Sequence, residues 1–292
     1  MPEAVLHDGS TIQLEVHGST IQFEVHGAGP ALLLPVDPHP VEGAQAEEMA
    51  RWGADPALGR RLVDGLAGDV QVVAFDYEGH VRAVPKPDTL TPDNVVADLL
   101  VVADAAGADR FAWYGYSWLA MVGLQLAVRT DRLSALAMGG YPPLGGPYRE
   151  MLQVTEATYA LAVDPPERPA GPVIPGDWDS AEVTLSEAET RQFVTLYQAL
   201  QDFDDRAAQA GITCPRLCFA GSADEIRYGE RWGNVLVSLG GPVVRHRSEL
   251  EATGWEVVVL EGLDHMGAMQ ADRVLPILRP WLAAALAGQG QR

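Results

Sequence analysis

The sequence is poor in positive charge. It has 20 lysines and arginines against 40 aspartates and glutamates, a formal net charge of −20 at pH 7, and Lys86 is its only lysine. A chain this acidic repels phosphate polymers and anionic membrane surfaces. We therefore predict that nucleic acid is not a partner, and we interpret the acidity as serving solubility.

The sequence also lacks long apolar runs and has little cysteine. No stretch approaches the ~18–20 apolar residues that would span a bilayer, and residues 1–10 show neither the basic start nor the apolar run of a secretory signal. These features predict a cytoplasmic protein without a membrane partner. Cys214 and Cys218 lie in a predicted strand, where ~3.3 Å per residue separates them by about 13 Å. That distance is too great for a disulfide, and neither thiol has the neighbours of a metal ligand.

The composition that remains is that of a globular α/β protein. Hydrophobic residues make up 47% of the chain and charged residues 21%, close to the averages of folded domains. Apolar runs of strand length alternate with amphipathic helical stretches, which is typical of a parallel sheet covered by helices on both faces. The predicted strands are 31–36, 70–75, 110–114, 133–138, 216–220 and 256–260, and the predicted helices include 45–66, 91–103, 117–129 and 268–286.

The N-terminal region departs from this alternation. Residues 9–17 are repeated almost unchanged as 18–26, and each copy alternates apolar with polar residues. Period-two alternation is the pattern of a strand with one face in water. The two copies predict an antiparallel hairpin at the start of the fold.

A second departure lies between two of the sheet strands. From 142 to 211 no strand-like run appears, prolines crowd one loop, and helical stretches flank it near 148–162 and 186–209. An interruption of this length between strands favours an inserted unit. We predict a helical cap at 142–211, inserted into an α/β core formed by 1–141 and 212–292.

A serine stands at a strand-to-helix junction in the middle of the chain. Gly115-Tyr116-Ser117-Trp118-Leu119 joins the predicted strand 110–114 to the next helix. In a nucleophile elbow, a strained turn lifts the serine above the sheet and places its oxygen at a helix N-terminus, while small residues relieve crowding. Gly115 supplies the first small residue, but Leu119 stands where a second glycine is expected. A plain helix N-cap is therefore the alternative for Ser117.

An acid and a histidine follow two later strands. Asp224 comes just after 216–220, and His265 just after 256–260. With Ser117 they give the chain order Ser, Asp, His, each at the carboxyl end of a strand, where parallel sheets bind ligands. On these motifs the chain resembles the α/β-hydrolase superfamily, in its capped serine esterase, lactonase and peptidase-like branch, over nearly its whole length.

The resemblance implies a catalytic triad. Ser117 is then the nucleophile, His265 the general base and acid, and Asp224 the residue that orients the imidazole, because a serine hydroxyl is a weak nucleophile until an imidazole takes its proton. Taken singly, Asp224 also fits a turn residue and His265 a surface loop histidine. Two other acids compete with Asp224. Asp264 is adjacent to the histidine, which makes a side-on hydrogen bond awkward, and Glu225 is one step past the expected position.

The oxyanion hole is where the chain departs from that superfamily. A His-Gly pair commonly follows the first parallel strand, but Pro35 and Val36 stand there in this chain. The resemblance implies the backbone amides of Asp37 and Trp118 as the donors. The Asp37 carboxylate would repel an oxyanion unless it points away or is protonated. A structural Asx turn is one alternative for Asp37, and direct action of Asp37 or His39 on the substrate is another.

Residues near the elbow and the cap entrance are predicted to contact the substrate. They are Val36, His39, Trp118, Tyr141 and Tyr148. Aromatic packing under the cap explains the two tyrosines equally well. No metal and no organic cofactor is implied.

The leading interpretation is a serine hydrolase that forms an acyl-enzyme from a small uncharged ester, lactone, thioester or amide. The departure at 35–37 keeps a second reading open, a non-hydrolytic enzyme of the same fold such as a lyase, epimerase or cyclase of secondary metabolism. A third is a catalytically idle ligand-binding protein. Three matched residues in the order of the fold count against the third reading, because an idle site has no physical need for them.

Overall fold

The computed structural model describes residues 3–5, 19–166 and 171–287 of the chain. The strands are β1 (Glu3–Val5), β2 (Thr20–Gln22), β3 (Glu24–His26), β4 (Ala31–Leu34), β5 (Gln71–Ala74), β6 (Phe111–Tyr116), β7 (Leu133–Gly139), β8 (Arg216–Gly221), β9 (Glu225–Arg227), β10 (Leu236–Ser238) and β11 (Trp255–Leu260). The α-helices are α1 (Gly43–Arg51), α2 (Leu58–Leu66), α3 (Tyr77–Ala83), α4 (Pro92–Ala105), α5 (Trp118–Ala127), α6 (Tyr148–Val163), α7 (Glu187–Ala199), α8 (Asp205–Ala208), α9 (Gly240–Arg245), α10 (Arg247–Ala252), α11 (His265–Ala268) and α12 (Ala271–Leu286).

A mostly parallel sheet forms the centre of the fold. In the described part of the chain it has seven strands in the order β11-β8-β7-β6-β4-β5-β3. The pairs from β11 to β5 are parallel, and only the edge pair β3–β5 is antiparallel. The mostly parallel sheet predicted from the sequence is confirmed.

The sheet is buried on both faces. Every residue of β4 and β7 is buried, which explains why these segments are continuous apolar runs. Apolar side chains of α4 and α5 pack on one face, and those of α2 and α12 pack on the other. Each fully buried leucine or valine contributes roughly 1.5–3 kcal/mol, so the core holds the strand ends in fixed positions.

The N-terminal strands pair in an antiparallel manner. β2 pairs with β1, and β3 with β5. Both β2 and β3 come from the second repeat, 18–26, whereas the first repeat, 9–17, lies outside the described residues. The second copy therefore supplies two short antiparallel strands, which is consistent with the antiparallel hairpin predicted at the start of the fold.

Two predicted helices differ from the observed ones. The predicted helix 45–66 is wrong as one unit, because the chain leaves it after Arg51 and resumes at Leu58. Gly53, with φ of +81°, and Pro56 explain the break, since a left-handed glycine and a proline each end a helix. The predicted closing helix, 268–286, is α12, which begins at Ala271 after the short helix α11.

The segment between β7 and β8 carries α6, α7 and α8. α6 and α7 pack against each other, and α7 begins at a capping box in which Ser186 and Glu189 bond each other's backbone amides. The division into a core and an insertion at 142–211 stays a prediction. No helix in residues 3–5, 19–166 and 171–287 is long and apolar enough to cross a membrane.

Candidate active site

Ser117 sits in a strained turn between β6 and α5. Its backbone has φ of 57° and ψ of −131°, a left-handed region that a residue with a Cβ rarely adopts, at a cost of order 1–3 kcal/mol. The Ser117 amide donates to the Gly139 carbonyl at 2.8 Å, which fixes the turn to the end of β7. The serine is thus presented at the carboxyl edge of the sheet, at the first residue before a helix.

The small residues around this turn are required by close packing. A Cβ on Gly115 would collide with the backbone carbonyl of Leu119, and a Cβ on Gly139 would lie 2.6 Å from the rings of Tyr116 and Phe219. It is the backbone of Leu119 that approaches Gly115, while the Leu119 side chain is buried in the core. This explains how a leucine is accommodated where the sequence pattern expects a second glycine.

His265 and Asp224 form a buried hydrogen-bonded pair. His265 Nδ1 lies 2.9 Å from Asp224 Oδ2 and 3.1 Å from Oδ1. The Asp224 side chain is fully buried, whereas that of His265 is 18% exposed. An ionised carboxylate only accepts hydrogen bonds, so Nδ1 carries the proton and Nε2 keeps its lone pair.

The other acids near His265 have different partners. Asp264 caps α11 by accepting from the Gly267 amide at 2.7 Å, and Glu225 pairs with Arg227 at 3.1 Å. Among the three acids weighed from the sequence, the structure brings only Asp224 to the imidazole.

Tyr116 joins the loop of the histidine to the turn of the serine. Its hydroxyl donates to the His265 carbonyl at 2.7 Å, and its ring centroid lies 5.0 Å from that of the imidazole. Within the described residues, Ser117 Oγ makes no hydrogen bond to His265. Catalytic hydrogen bonds are often long before a substrate binds and shorten in the complex.

Ser117 lines a cavity of about 280 Å³ between the edge of the sheet and the helices α6 and α7. Its walls are Glu78, Arg82, Ser117, Trp118, Tyr141, Met151, Val154, Thr155, Thr158, Leu185, Thr190, Phe193, Tyr197, Ile226, Tyr228 and Leu239. Trp118 and Tyr141, both predicted to contact the substrate, are among these residues. Tyr148 stands behind Tyr141, with its ring centroid 6.1 Å away.

Trp118 is held by groups that the sequence did not suggest. Its Nε1 donates to Glu78 Oε2 at 3.2 Å, and Arg82 donates to the other carboxylate oxygen at 2.6 Å. Phe193 of α7 packs edge-on against the indole at 5.5 Å. The sequence does not indicate these contacts, because Glu78 and Phe193 lie far from Trp118 along the chain.

Asp37 and His39 lie on a separate groove. Asp37 Oδ1 accepts from the His39 amide at 2.9 Å, which is the Asx turn considered from the sequence. The His39 ring lies 3.1 Å from Asp37 and 3.2 Å from Glu24. This groove is lined by residues of β2, β3 and α3, and the structure does not bring His39 or Val36 to the walls of the Ser117 cavity.

The two cysteines are free and lie away from Ser117. Cys218 is buried in β8 and Cys214 is half-buried just before it. Burial raises the pKa of both thiols, which makes them poor nucleophiles. In the described residues, no group of three or more His, Cys, Asp or Glu side chains is arranged to hold a metal ion.

Solved structures with this architecture are hydrolases of several kinds. An esterase from Thermogutta terrifontis superposes with a TM-score of 0.57 at 16% identity, covering 91% of this chain and 94% of the esterase. An enol-lactonase from Burkholderia xenovorans superposes with a TM-score of 0.57 at 18% identity, covering 90% of this chain and 96% of the lactonase. The chain has the α/β-hydrolase fold, and the resemblance predicted from the sequence is confirmed for the fold. At these identities the likeness establishes the fold alone.

Curated relatives are more similar in sequence. A Klebsiella pneumoniae protein named "Putative carbamate hydrolase RutD" is 29% identical over 174 residues, 54% of this chain and 65% of the relative. An Enterobacter cloacae protein of the same name is 28% identical over 214 residues, 66% of this chain and 78% of the relative. The matched part of the chain thus spans less than two thirds of the length of the Klebsiella relative. No known family profile matches the chain.

Proposed function

We propose that the protein is a serine hydrolase that cleaves a small uncharged ester, lactone, thioester, amide or carbamate through an acyl-enzyme on Ser117. The observation that carries the proposal is the buried pair of Asp224 and His265, with Nδ1 to Oδ2 at 2.9 Å, placed beside a strained serine turn. A buried carboxylate that fixes one tautomer of a partly exposed imidazole is what a general base needs.

In the proposed reaction, Ser117 Oγ attacks the scissile carbonyl carbon while its proton passes to His265 Nε2. The tetrahedral oxyanion collapses, the bond to the leaving group breaks, and the leaving group takes the proton from the imidazolium. Water then attacks the acyl-enzyme by the same route and frees Ser117. Asp224 stays ionised throughout and stabilises the imidazolium.

The amide of Trp118 is the first oxyanion donor in this scheme. It is the first residue of α5, where amides have no partner within the helix and the helix dipole favours negative charge. The Asp37 amide, just beyond the end of β4, is proposed as the second donor, because β4 pairs with β6, which leads to Ser117, while Asp37 also lines the separate groove. Because the Asp37 carboxylate is engaged by the His39 amide, its charge is partly compensated.

The cavity favours a small substrate that is mostly apolar. Side chains such as Met151, Val154 and Phe193 form much of its wall, and its two opposite charges, Glu78 and Arg82, are paired with each other. A charged substrate would lose water without gaining a free partner. The names of the curated relatives add carbamates to the substrates to be tested.

A fluorophosphonate probe tests the nucleophile. The probe, located by mass spectrometry, should modify Ser117; the adduct should disappear in Ser117→Ala and form at least about 100-fold more slowly in His265→Ala, because general base catalysis contributes about 10²–10⁴-fold. Ser180→Ala is the matched control, since this hydroxyl bonds the Ile174 and Asp177 carbonyls away from the cavity. Its labelling should equal that of the parent.

Each alternative has its own outcome. A folded protein that never labels refutes the proposal and favours a ligand-binding protein. A protein that labels at Ser117 but hydrolyses no ester, lactone, thioester, amide or carbamate of a broad panel refutes hydrolysis and favours non-hydrolytic chemistry at the same serine.

A further inference from the structure

Tyr141 lines the Ser117 cavity, and the ring of Tyr148 packs against that of Tyr141. Tyr141 is 1% exposed and Tyr148 is 8% exposed. The hydroxyl of each is buried and makes no hydrogen bond within the described part of the chain. A buried hydroxyl without a partner costs roughly 1–3 kcal/mol. Such a cost is retained where a ligand supplies the partner.

Both phenols are neutral donors. Burial raises the pKa of Tyr141 and of Tyr148 well above the usual value, and the charge of Asp205 raises both further. Glu150 adds to the effect at Tyr141. At neutral pH each hydroxyl therefore keeps its proton. The same carboxylates make this region of the cavity unfavourable for an anionic ligand.

We propose that the Tyr141 hydroxyl, supported by that of Tyr148, recognises an uncharged hydrogen-bond acceptor of the substrate, such as a ketone, ether or amide oxygen, in addition to the carbonyl that is cleaved. The substrate class is thus an apolar ester or carbamate bearing one further neutral oxygen. This inference rests on the proposed function for the position of the cleaved bond, since both Ser117 and Tyr141 line the same cavity.

The apolar walls explain why one polar contact decides selectivity. Around Tyr141 the cavity presents Met151, Val154 and Leu239, which hold an alkyl or aryl body without discriminating between similar chains. A site built to hydrogen-bond one substrate oxygen disfavours the analogue that lacks it, because its own polar group is then left unpaired. Tyr141 is therefore a specificity residue and takes no part in proton transfer.

Ligand binding to Ser117→Ala tests this inference without requiring turnover. The probes are methyl levulinate and its longer straight-chain keto homologues, each compared by titration calorimetry with the methyl alkanoate of equal length. A parallel series carries the ketone in the alcohol part of the ester. In at least one series the keto ester should bind about five- to tenfold more tightly, the effect of one added hydrogen bond. A monomethyl dicarboxylate of equal length should bind more weakly than the keto ester.

The hydroxyl is then removed in the same background. Tyr141→Phe should reduce the ratio of the two affinities to about one, while its melting temperature stays equal or rises, because an unpaired buried hydroxyl is lost. Tyr159→Phe is the matched control: it lies on α6, and its hydroxyl contacts Glu187 on the exposed side at 3.1 Å. It should keep the parent ratio.

Three results would overturn the inference. They are equal affinities for keto and alkanoate esters in both series, a preference that survives Tyr141→Phe, and a melting temperature that falls in Tyr141→Phe, which would reveal a structural hydrogen bond. Tighter binding of the dicarboxylate monoester would contradict the neutral acceptor. Failure of the proposed function gives a different result, an absence of fluorophosphonate labelling at Ser117 with these binding ratios intact.

Discussion

Among the residues that the structure describes, two aspartates are completely buried, and their partners differ. Asp224 and Asp98 are both 0% exposed. Asp224 is paired with His265, whose side chain is 18% exposed. Asp98 is paired with Lys86, whose Nζ is 3.0 Å away and whose side chain is 4% exposed, and it also accepts from the Tyr77 hydroxyl at 2.8 Å.

The difference lies in what each partner is able to do. Lys86 Nζ donates to the buried Asp98 carboxylate, and the Lys86 amide donates to Gln192 Oε1 of α7 at 3.0 Å. Gln192 in turn donates to the Val81 carbonyl. This pair therefore ties α4 to α3 and to the helices above the sheet. An imidazole has a second ring nitrogen, and that of His265 is left for a further contact, because Nδ1 is the nitrogen that faces Asp224. Equal burial thus gives a structural ion pair in one place and, in the other, the pair that we propose as the general base and its orienting acid.

The same substitution at both acids should separate the two roles most strongly. Asp224→Asn should lower kcat/KM on p-nitrophenyl esters about 10³–10⁴-fold, because the imidazole loses its orienting acceptor and its charge stabilisation. Asp98→Asn should keep the activity per folded molecule within about threefold and lose stability instead. Ester kinetics should be used to measure kcat/KM, and urea denaturation the free energy of unfolding, for both variants. Equal losses of activity at the two positions would refute the assignment.

Removing the Lys86 cation should show how much the ion pair of Lys86 and Asp98 contributes to the stability of the fold. Lys86→Met leaves the Asp98 carboxylate buried without its cation and should lower the free energy of unfolding by about 3–5 kcal/mol. The double variant Lys86→Met/Asp98→Asn should recover a large part of that loss, since neither charge remains. Arg247→Met is the control, because both side chains of its ion pair with Glu251 are about half exposed and such a pair contributes at most about 1 kcal/mol. Additive losses in the double variant would mean that the two groups act independently.

The pKa of His80, which lies near Lys86, should make the stability of the fold depend on pH. Burial, and then the charge of Lys86, lower its pKa from 6.5 to about 4. Between these values the unfolded chain binds a proton that the folded chain does not, so the stabilisation present above pH 6.5 is lost as the pH falls towards 4. The loss amounts to at most about 3 kcal/mol. In His80→Gln the urea midpoint should depend less on pH in this window, whereas equal slopes would show that His80 does not contribute.

The candidate site could be predicted from the sequence because its three residues follow the strands. Ser117, Asp224 and His265 were placed at strand ends by apolar runs and chain order alone, and parallel pairing brings those ends to one edge of the sheet. The break between α1 and α2 could also have been predicted from Gly53 and Pro56, but the helical pattern on both sides of them favoured a single helix.

The surroundings of the site were beyond the reach of the sequence. The hairpin of β9 and β10 has strands of three residues each, too short to produce a pattern. Phe193 and Glu78 meet Trp118 only after α7 has packed over α3. The carboxylate of Asp37 turns to the His39 amide, a local choice that residue type alone does not dictate. Tertiary packing determines such contacts, and local sequence patterns do not predict it.

The burial of Lys86 has a practical consequence. Because it is the only lysine of the chain and is 5% exposed, the folded protein shields its sole side-chain amine from acylating reagents. The rate at which an acylating reagent modifies Lys86 therefore measures how often the structure opens at the ion pair of Lys86 and Asp98.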